Sequence, residues 1–432
     1  MEHIIPGWML LPFTVMLLSI AILPLLPKAS EWWENNWNKL LVSFLLGIPT
    51  AAWLCLHGMS HDIIHQIVFD YVPFILLLMA LFVTTGGICI QGDLRATPFT
   101  NTTILALGWL LASFMGTTGA AMLLIRLLLK TMEQRKYKVH TVLFFIAIVA
   151  NCGGLLSPLG DPPLFLLFQK GAPFTWWLEN MVMEWLLTGV LLLLVYFVLD
   201  LYYYHKEPLE LKMADGHERM HLQFSGLLNV FWLLCVVCST MFINSKYIPE
   251  MGAEDAPWYL KLLREWAFIV IILLSWWTTK KSVREANHYS WAPIMEVACV
   301  FIGIFATMTP ALMYLHGMKD TIQMYLSEPW QYVYITGSLS AFLDNAPTAM
   351  VFNSMAPEGN IAGLAADPFL KAISMGAVFF GAMTYIGNGP NFMVKSIAEQ
   401  EGIKMPSFFG YMIKFSLIVC LPIYVIVQLI LL

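Results

Sequence analysis

Ser340-Ala-Phe-Leu-Asp344-Asn345-Ala-Pro347-Thr348-Ala-Met350 lies between apolar segments, and its reading decides the fold. A carboxylate, an amide, hydroxyls and a helix-breaking proline within nine residues are costly at membrane depth. They are tolerated only where protein or a water-lined cavity receives them. Three further stretches are of the same kind: Met115-Gly116-Thr117-Thr118-Gly119, Ser157-Pro158-Leu159-Gly160-Asp161-Pro162-Pro163 and Tyr385-Ile386-Gly387-Asn388-Gly389-Pro390-Asn391. We expect these four stretches to form one ion pathway.

Everything around them is apolar. Of 432 residues, 59% are hydrophobic and 12% charged, with a mean hydropathy of +0.71. A soluble domain is about one quarter charged. The apolar residues fall in runs of roughly 17 to 25, long enough to cross a bilayer core. The chain therefore reads as an all-α polytopic membrane protein. The net charge of −5 says little about partners, because its distribution among loops matters more than its sum. No basic patch interleaved with aromatics points to nucleic acid. The seven cysteines all fall in expected spans. Cys235 and Cys238 have metal-ligand spacing but no second pair or nearby histidine, and read as packing. None of the ten histidines has metal-site spacing. The run 7–26 follows no basic segment and exceeds a signal-peptide core, so a retained span is expected. Trp32-Trp33, Trp176-Trp177 and Trp276-Trp277 read as interfacial belts.

Spans are expected at 7–26, 38–57 and 67–90, then an apolar region at 101–130 interrupted at Gly116. A region at 141–168 interrupted at 157–163 and a span at 181–204 follow. Residues 205–224 are polar and read as a linker. The second half repeats the order: spans at 226–245, 262–279 and 293–316, interrupted regions at 328–356 and 369–398, and a span at 407–432. The halves overlay. Gly116-Thr117 matches Asp344-Asn345 at an offset of 228, Gly160-Asp161-Pro162-Pro163 matches Gly387-Asn388-Gly389-Pro390 at 227, and Asp70 matches Glu296 at 226. Two repeats, 1–204 and 225–432, are expected, with spans 1–90 and 226–316 as scaffold. Paired broken helices of this kind point to a transporter's substrate site.

Charge decides whether 101–130 and 328–356 cross or return. If both are re-entrant hairpins, fifteen Lys and Arg fall on one side and six on the other, with Arg126 and Lys414 inside spans. Those six are Lys170, Lys246, Lys261, Arg264, Lys319 and Lys371. Single crossings would give about ten against eleven, with no bias of the kind seen in membrane proteins. Hairpins are expected. Each repeat then has five crossings, the repeats are inverted, and both termini face away from the cytoplasm.

Hairpin tips and helix breaks leave backbone carbonyls and N–H groups free at depth, for cations and anions respectively. Asp344 offers a carboxylate, Asn345, Asn388 and Asn391 offer amides, and Ser340, Thr348, Thr117, Thr118 and Thr384 offer hydroxyls. Asp161 offers a second carboxylate, with Asn151 ten residues earlier on the same broken helix. A buried carboxylate holds a proton or a metal ion but not both comfortably, which is a basis for exchange. Sodium is expected at Asp344, Asn345 and Asp161, with the acid chemistry lopsided between Asp344 at one tip and Asp161 in the other half. Asp70 and Glu296 are candidate proton-linked acids. Structural roles stay open: Asp344 and Asn345 suit N-caps, Asp161 before Pro-Pro suits a helix start, and Asn151 suits a backbone carbonyl. Asp70 and Glu296 suit an interface, and Arg126 suits snorkelling or pairing with an acid.

Ser340-Ala-x-Leu-Asp344-Asn345-Ala-Pro-Thr348, Asn151-Cys-Gly-Gly-Leu-Leu-Ser157-Pro-Leu-Gly160-Asp161-Pro and Gly-Thr-Thr-Gly-Ala-Ala-Met122 resemble the ion transporter superfamily. That group includes NhaD-type sodium/proton antiporters, arsenite permeases and sodium-coupled citrate and dicarboxylate carriers. The resemblance is nearest to the NhaD-type branch at Ser340, Asp344, Asn345, Asn151 and Asp161. It implies an elevator mechanism, a homodimer through the scaffold, and exchange of Na⁺ or Li⁺ for H⁺ across a bacterial inner membrane, with no cofactor and no enzymatic activity. One departure is that Gly116-Thr117 stands where that branch carries Asp-Asn. The alternative is a Na⁺- or H⁺-coupled carrier of citrate, a dicarboxylate or arsenite, which the neutral first tip favours. The dicarboxylate branch carries neutral Ser-Asn-Thr at both tips.

Overall fold

A computed structural model describes residues 5–215, 220–253, 255–357 and 364–432. Among them, seven helices are long and apolar enough to cross a membrane: Gly7–Leu25, Asn36–Leu56, Ser60–Thr85, Val139–Leu156, Val182–Lys206, Ala292–Gly317 and Phe408–Leu431. Shorter apolar helices run over Leu228–Phe242 and Leu263–Thr278. The protein is an all-α polytopic membrane protein. Local chemistry sets the helix starts. Asn35 accepts from Trp37 N (3.0 Å), and Thr97 accepts from Thr100 N (3.2 Å) ahead of Pro98. Glu328 and Gln331 form a capping box around Pro329; such caps satisfy first-turn N–H groups. Within the spans, Thr84, Thr188, Thr240 and Thr307 return their hydroxyls to the carbonyl four residues back. That keeps them compatible with apolar surroundings.

The interrupted regions lie where the sequence puts them. Gly116 separates Pro98–Met115 from Thr117–Thr131 at φ 79°, ψ 149°, a conformation open essentially to glycine. The chain doubles back there: a Cβ on Gly108 would lie 3.1 Å from Leu124 Cδ1, and these residues sit eight before and eight after Gly116. Pro329–Ser340 and Asn345–Met355 also fold onto each other, with the Tyr332 and Phe352 rings 6.4 Å apart. The broken helices are Val139–Ile148 with Pro162–Gln169, and Asp367–Phe380 with Gly389–Gln400. Pro162, Pro163 and Pro390 fall in first turns, where a missing N–H costs nothing.

Two outer spans meet at a stack of Phe74 on Phe301, centroids 4.9 Å apart. Asn36–Leu56 packs on Ala292–Gly317 through small residues: a Cβ on Gly303 would meet Ser43 Oγ at 2.6 Å, and Ser43 donates to the Cys299 carbonyl at 2.7 Å. Small side chains let helices approach where no hydrophobic drive exists between them. Val139–Leu156 lies inside and is almost wholly buried. The first two spans are mostly exposed by comparison.

Two expectations change. The third span ends at Thr85, because Gly86 and Gly87 turn the chain into a strand, Cys89–Asp93. The 205–224 segment is no bare linker: helix Leu209–Ala214 occupies part of it, and strand Met220–Ser225 pairs antiparallel with Cys89–Asp93. Residues 216–219 lie outside the described residues. Nearby, buried Arg135 holds Asp200 (2.8 Å), Glu207 (3.1 Å) and the Ala96 carbonyl (2.9 Å). His140 Nε2 lies 2.9 Å from Asp200 Oδ1, and Asn101 donates to Asp200 Oδ2 at 3.1 Å. The cluster ties the base of the first hairpin to the first broken helix and to Val182–Lys206. Arg135→Met leaves two buried carboxylates without their guanidinium, and we expect a loss of about 3–5 kcal/mol. A thermal melt of detergent-purified protein checks this; an unchanged midpoint would show the cluster to be dispensable.

Candidate functional site

All four polar stretches meet at one carboxylate. Asp161 Oδ1 accepts from Thr117 Oγ1 (3.0 Å) at the first tip and from Asn388 Nδ2 (2.9 Å) in the second helix break. Asp161 Oδ2 accepts from Asn345 Nδ2 (2.5 Å) at the second tip. The Asp161 carboxylate does not cap its own helix. Prolines at the first two helical positions, Pro162 and Pro163, remove the nearest N–H donors, and Leu164 N bonds the Asp161 carbonyl (3.1 Å). The side chain is left for tertiary partners.

Asp344 behaves in the opposite way. It is the N-cap of Asn345–Met355, accepting from Ala346 N at 3.0 Å, while Thr348 Oγ1 donates to its carbonyl at 2.8 Å. Its neighbour Asn345 makes the reach to Asp161. The hub is therefore Asp161, with Asp344 on the cavity wall beside it.

Behind the hub runs a chain of amides. Asn388 also donates to Asn151 Oδ1 (3.2 Å), Asn151 donates to Asn391 Oδ1 (2.7 Å) and to the Ile146 carbonyl (2.8 Å), and Asn391 donates to the Gly381 and Thr384 carbonyls. Ser340 Oγ donates to the Ala377 carbonyl at 2.8 Å. All of these side chains are buried. Two bonds occur in duplicate. Ser157 donates to the Ser113 carbonyl, and Thr384 donates to the Ala341 carbonyl. Ser157 and Thr384 in turn accept from Leu159 N (3.1 Å) and Ile386 N (3.2 Å). Ser113 and Ser157 are not among the expected site residues, yet the repeat offset that links Ser157 to Thr384 marks them.

In front of the hub is a cleft whose space, its solvent-filled mouth included, is ≈ 730 Å³. Thr117, Thr118, Asp344, Asn345 and Asn388 supply its polar side, and Phe74, Leu78, Phe82, Ile294 and Phe301 its apolar wall. Four helices, beginning at Thr117, Pro162, Asn345 and Gly389, start at this cavity. Helix starts carry partial positive charge, which suits an anion; first-turn prolines and the bonds of Thr117 N, Leu164 N, Ala346 N and Asn391 N leave few free N–H groups here. Asp344 on the cavity wall, and Asp161 behind Thr117, Asn345 and Asn388, suit a cation or proton. One site can thus hold both signs.

A family model described as "Putative citrate transport" matches residues 2–432. The chain belongs to this citrate-transport family. No curated protein matches it. The family supports a transporter of the ion and citrate class, without singling out the NhaD-type branch.

In this citrate-transport family member, two expected acids lie elsewhere. Asp70 pairs with Lys170 at 2.8 Å, and Glu296 pairs with Lys39 at 2.6 Å. Neither lines the cavity at Asp161. Their partners lie 100 and 257 residues away in sequence, so only the folded chain reveals the pairing.

Proposed function

We propose that the protein is a secondary active carrier of a citrate-class organic anion, coupled to Na⁺ or H⁺. The observation that carries this reading is the convergence of four helix starts and the Asp344 carboxylate on one cavity, with Asp161 directly behind it, bonded to the lining residues Thr117, Asn345 and Asn388. A bare cation needs only oxygens; the helix starts suit an anion. The coupling cation sits at Asp161, Asn345 and Asp344, where rotation of the Asn345 amide presents its oxygen instead of its N–H group. Thr118 and the neighbouring N–H groups receive a substrate carboxylate. No cofactor enters this scheme, and its other proposed partners are lipid, small cations and a second copy of the chain.

Further proposals concern how it moves. The duplicated Ser157 and Thr384 bonds support inverted repeats over 1–204 and 225–432. The apolar wall between the hairpins and the spans Ser60–Thr85 and Ala292–Gly317 supports an elevator motion of one against the other. A homodimer through those spans, a bacterial inner membrane and non-cytoplasmic termini complete the proposal.

The test is uptake of labelled citrate or succinate by proteoliposomes under an imposed Na⁺ or H⁺ gradient. Accumulation that collapses with the gradient is expected. The second reading, Na⁺/H⁺ exchange, draws on the neighbouring acids, Asp344 on the cavity wall and Asp161 behind it. Dye-reported alkalinisation on adding Na⁺ without any organic anion would favour it and sink the carrier reading.

A further inference from the structure

Asp70 lies outside the Asp161 site, yet one short helix joins the two. Pro162–Gln169 is eight residues long, follows Asp161 directly and ends at Lys170. Its rise is about 12 Å. The hub stands at its near end. At its far end Lys170 Nζ donates to Asp70 Oδ2 at 2.8 Å, and Gln169 Nε2 donates to the Asp70 carbonyl at 3.3 Å. Side chain and backbone of one residue in Ser60–Thr85 thus hold the end of the helix on which Asp161 is mounted.

The span is irregular at this point. Asp70 lies in Gln66–Tyr71, a π-helical turn within Ser60–Thr85, and such turns are rare and often mark functional positions. Among the described residues, Gln66 Nε2, four residues before Asp70, and Gln169 Oε1 are buried without a hydrogen-bond partner. A donor and an acceptor left over in this way cost stability. Beside the ion pair the contact is apolar, with Phe74 6.5 Å from Phe165. The cleft lies beyond that contact: Ser60–Thr85 lines it with Phe74, Leu78, Leu81 and Phe82, all on the Thr85 side of Asp70.

We propose that Asp70 is a positioning residue for Asp161, and that its bonds to Lys170 and Gln169 are a latch closing the side of the Asp161 site away from the cleft. This rests on the elevator motion and the coupling role of Asp161 proposed above. For Asp161 to reach the other face, Pro162–Gln169 must shift along Ser60–Thr85, and both bonds must open. Apolar side chains slide past each other with little loss. The ion pair does not, because parting it leaves the buried Asp70 carboxylate without its lysine. His65 Nδ1, 4.0 Å from Asp70 Oδ2, belongs to the same span as Asp70 and stays beside it when the helix leaves.

Two measurements test it. The first uses Phe165→Cys as reporter, in a background with Cys55 and Cys238 changed to Ser. Phe165 is buried against Phe74, so an impermeant thiol reagent reaches a cysteine there when the latch opens. The Lys170 side chain is 28% exposed, so solvent screens part of the attraction, and K170Q should raise the labelling rate about 5-fold by raising the opened population. K170R keeps the charge and should label like the parent. Equal rates for K170Q and the parent overturn the latch, as does an equal rise at the buried Cys152, which would mean general loosening. The second measurement is citrate uptake by D70C/K170C in the same background with Phe165 retained. Uptake should stop when a bifunctional methanethiosulfonate bridges the two thiols and return on reduction; uptake that continues through the bridge overturns the latch. If the wild type carries no carboxylate at all, the carrier reading fails, while the labelling rates still decide the latch.

Discussion

Asp161→Asn should abolish coupled transport while leaving the protein folded. The substitution keeps the shape of the hub but removes its charge, and the new amide N–H can be accepted by Asn345 if its own amide turns its oxygen toward it. Losing one charged, hydrogen-bonded contact to a coupling cation removes about 3 kcal/mol, roughly 100-fold in affinity. Initial uptake should therefore fall to the level of empty liposomes, with the thermal midpoint close to wild type. Asp344→Asn is the contrast. Asparagine caps a helix as well as aspartate does, so the tip stays intact, and the effect should be smaller, about 10-fold. Should Asp344→Asn prove the more damaging of the two, the assignment of Asp161 as hub would be wrong. Asp161→Ala is a poorer probe, because Thr117, Asn345 and Asn388 would lose their acceptor together and the protein would lose stability as well as function.

Gly160→Ala should prevent accumulation of folded protein. A Cβ at Gly160 would lie 2.0 Å from the Gly154 carbonyl oxygen, with backbone on both sides of the contact. Thr117 N also donates to the Gly160 carbonyl at 2.8 Å, so the break cannot widen without disturbing the first tip. Overpacking against backbone costs upwards of about 3 kcal/mol. At the matching position of the other half, a Cβ on Gly387 would lie 2.6 Å from the Gly381 oxygen, and Gly387→Ala should fail in the same way. Gly389→Ala is the control: nothing lies within 4 Å of its added methyl, and its melt should match wild type. Similar melts for Gly160→Ala and Gly389→Ala would contradict the packing described for the helix break.

The spans and all four interruptions are legible in the sequence because apolar runs and Gly/Pro/Asn/Asp clusters report on backbone satisfaction at depth. The choice between Asp161 and Asp344 is less legible. Both precede helices, and an N-cap role is available to either until the donors are counted. Pro162 and Pro163 remove those donors from Asp161, a local signal that can be read without coordinates. Asp344 is followed by Asn345 and Ala346, which keep their N–H groups, so it caps. The repeat offset locates Ser157 opposite Thr384, and it also pairs Asp70 with Glu296, away from the Asp161 site. There it marks two acids whose lysine partners come from distant helices. The pairing of Cys89–Asp93 with Met220–Ser225 escapes a reading by hydropathy because both strands are short and one lies in a polar segment.

That small ribbon has a mechanical consequence. Only four residues, Leu94 to Thr97, join the end of its first strand at Asp93 to the first hairpin at Pro98. Fully extended they reach about 14 Å. The middle of this tether is pinned on both sides of Ala96, whose N–H donates to Asp215 at 3.1 Å and whose carbonyl accepts from Arg135 at 2.9 Å. The first hairpin is thus on a short leash: under the elevator motion proposed above, these bonds and the Asn101–Asp200 bond would hold its base, and the length of four residues would limit how far that base moves from the ribbon.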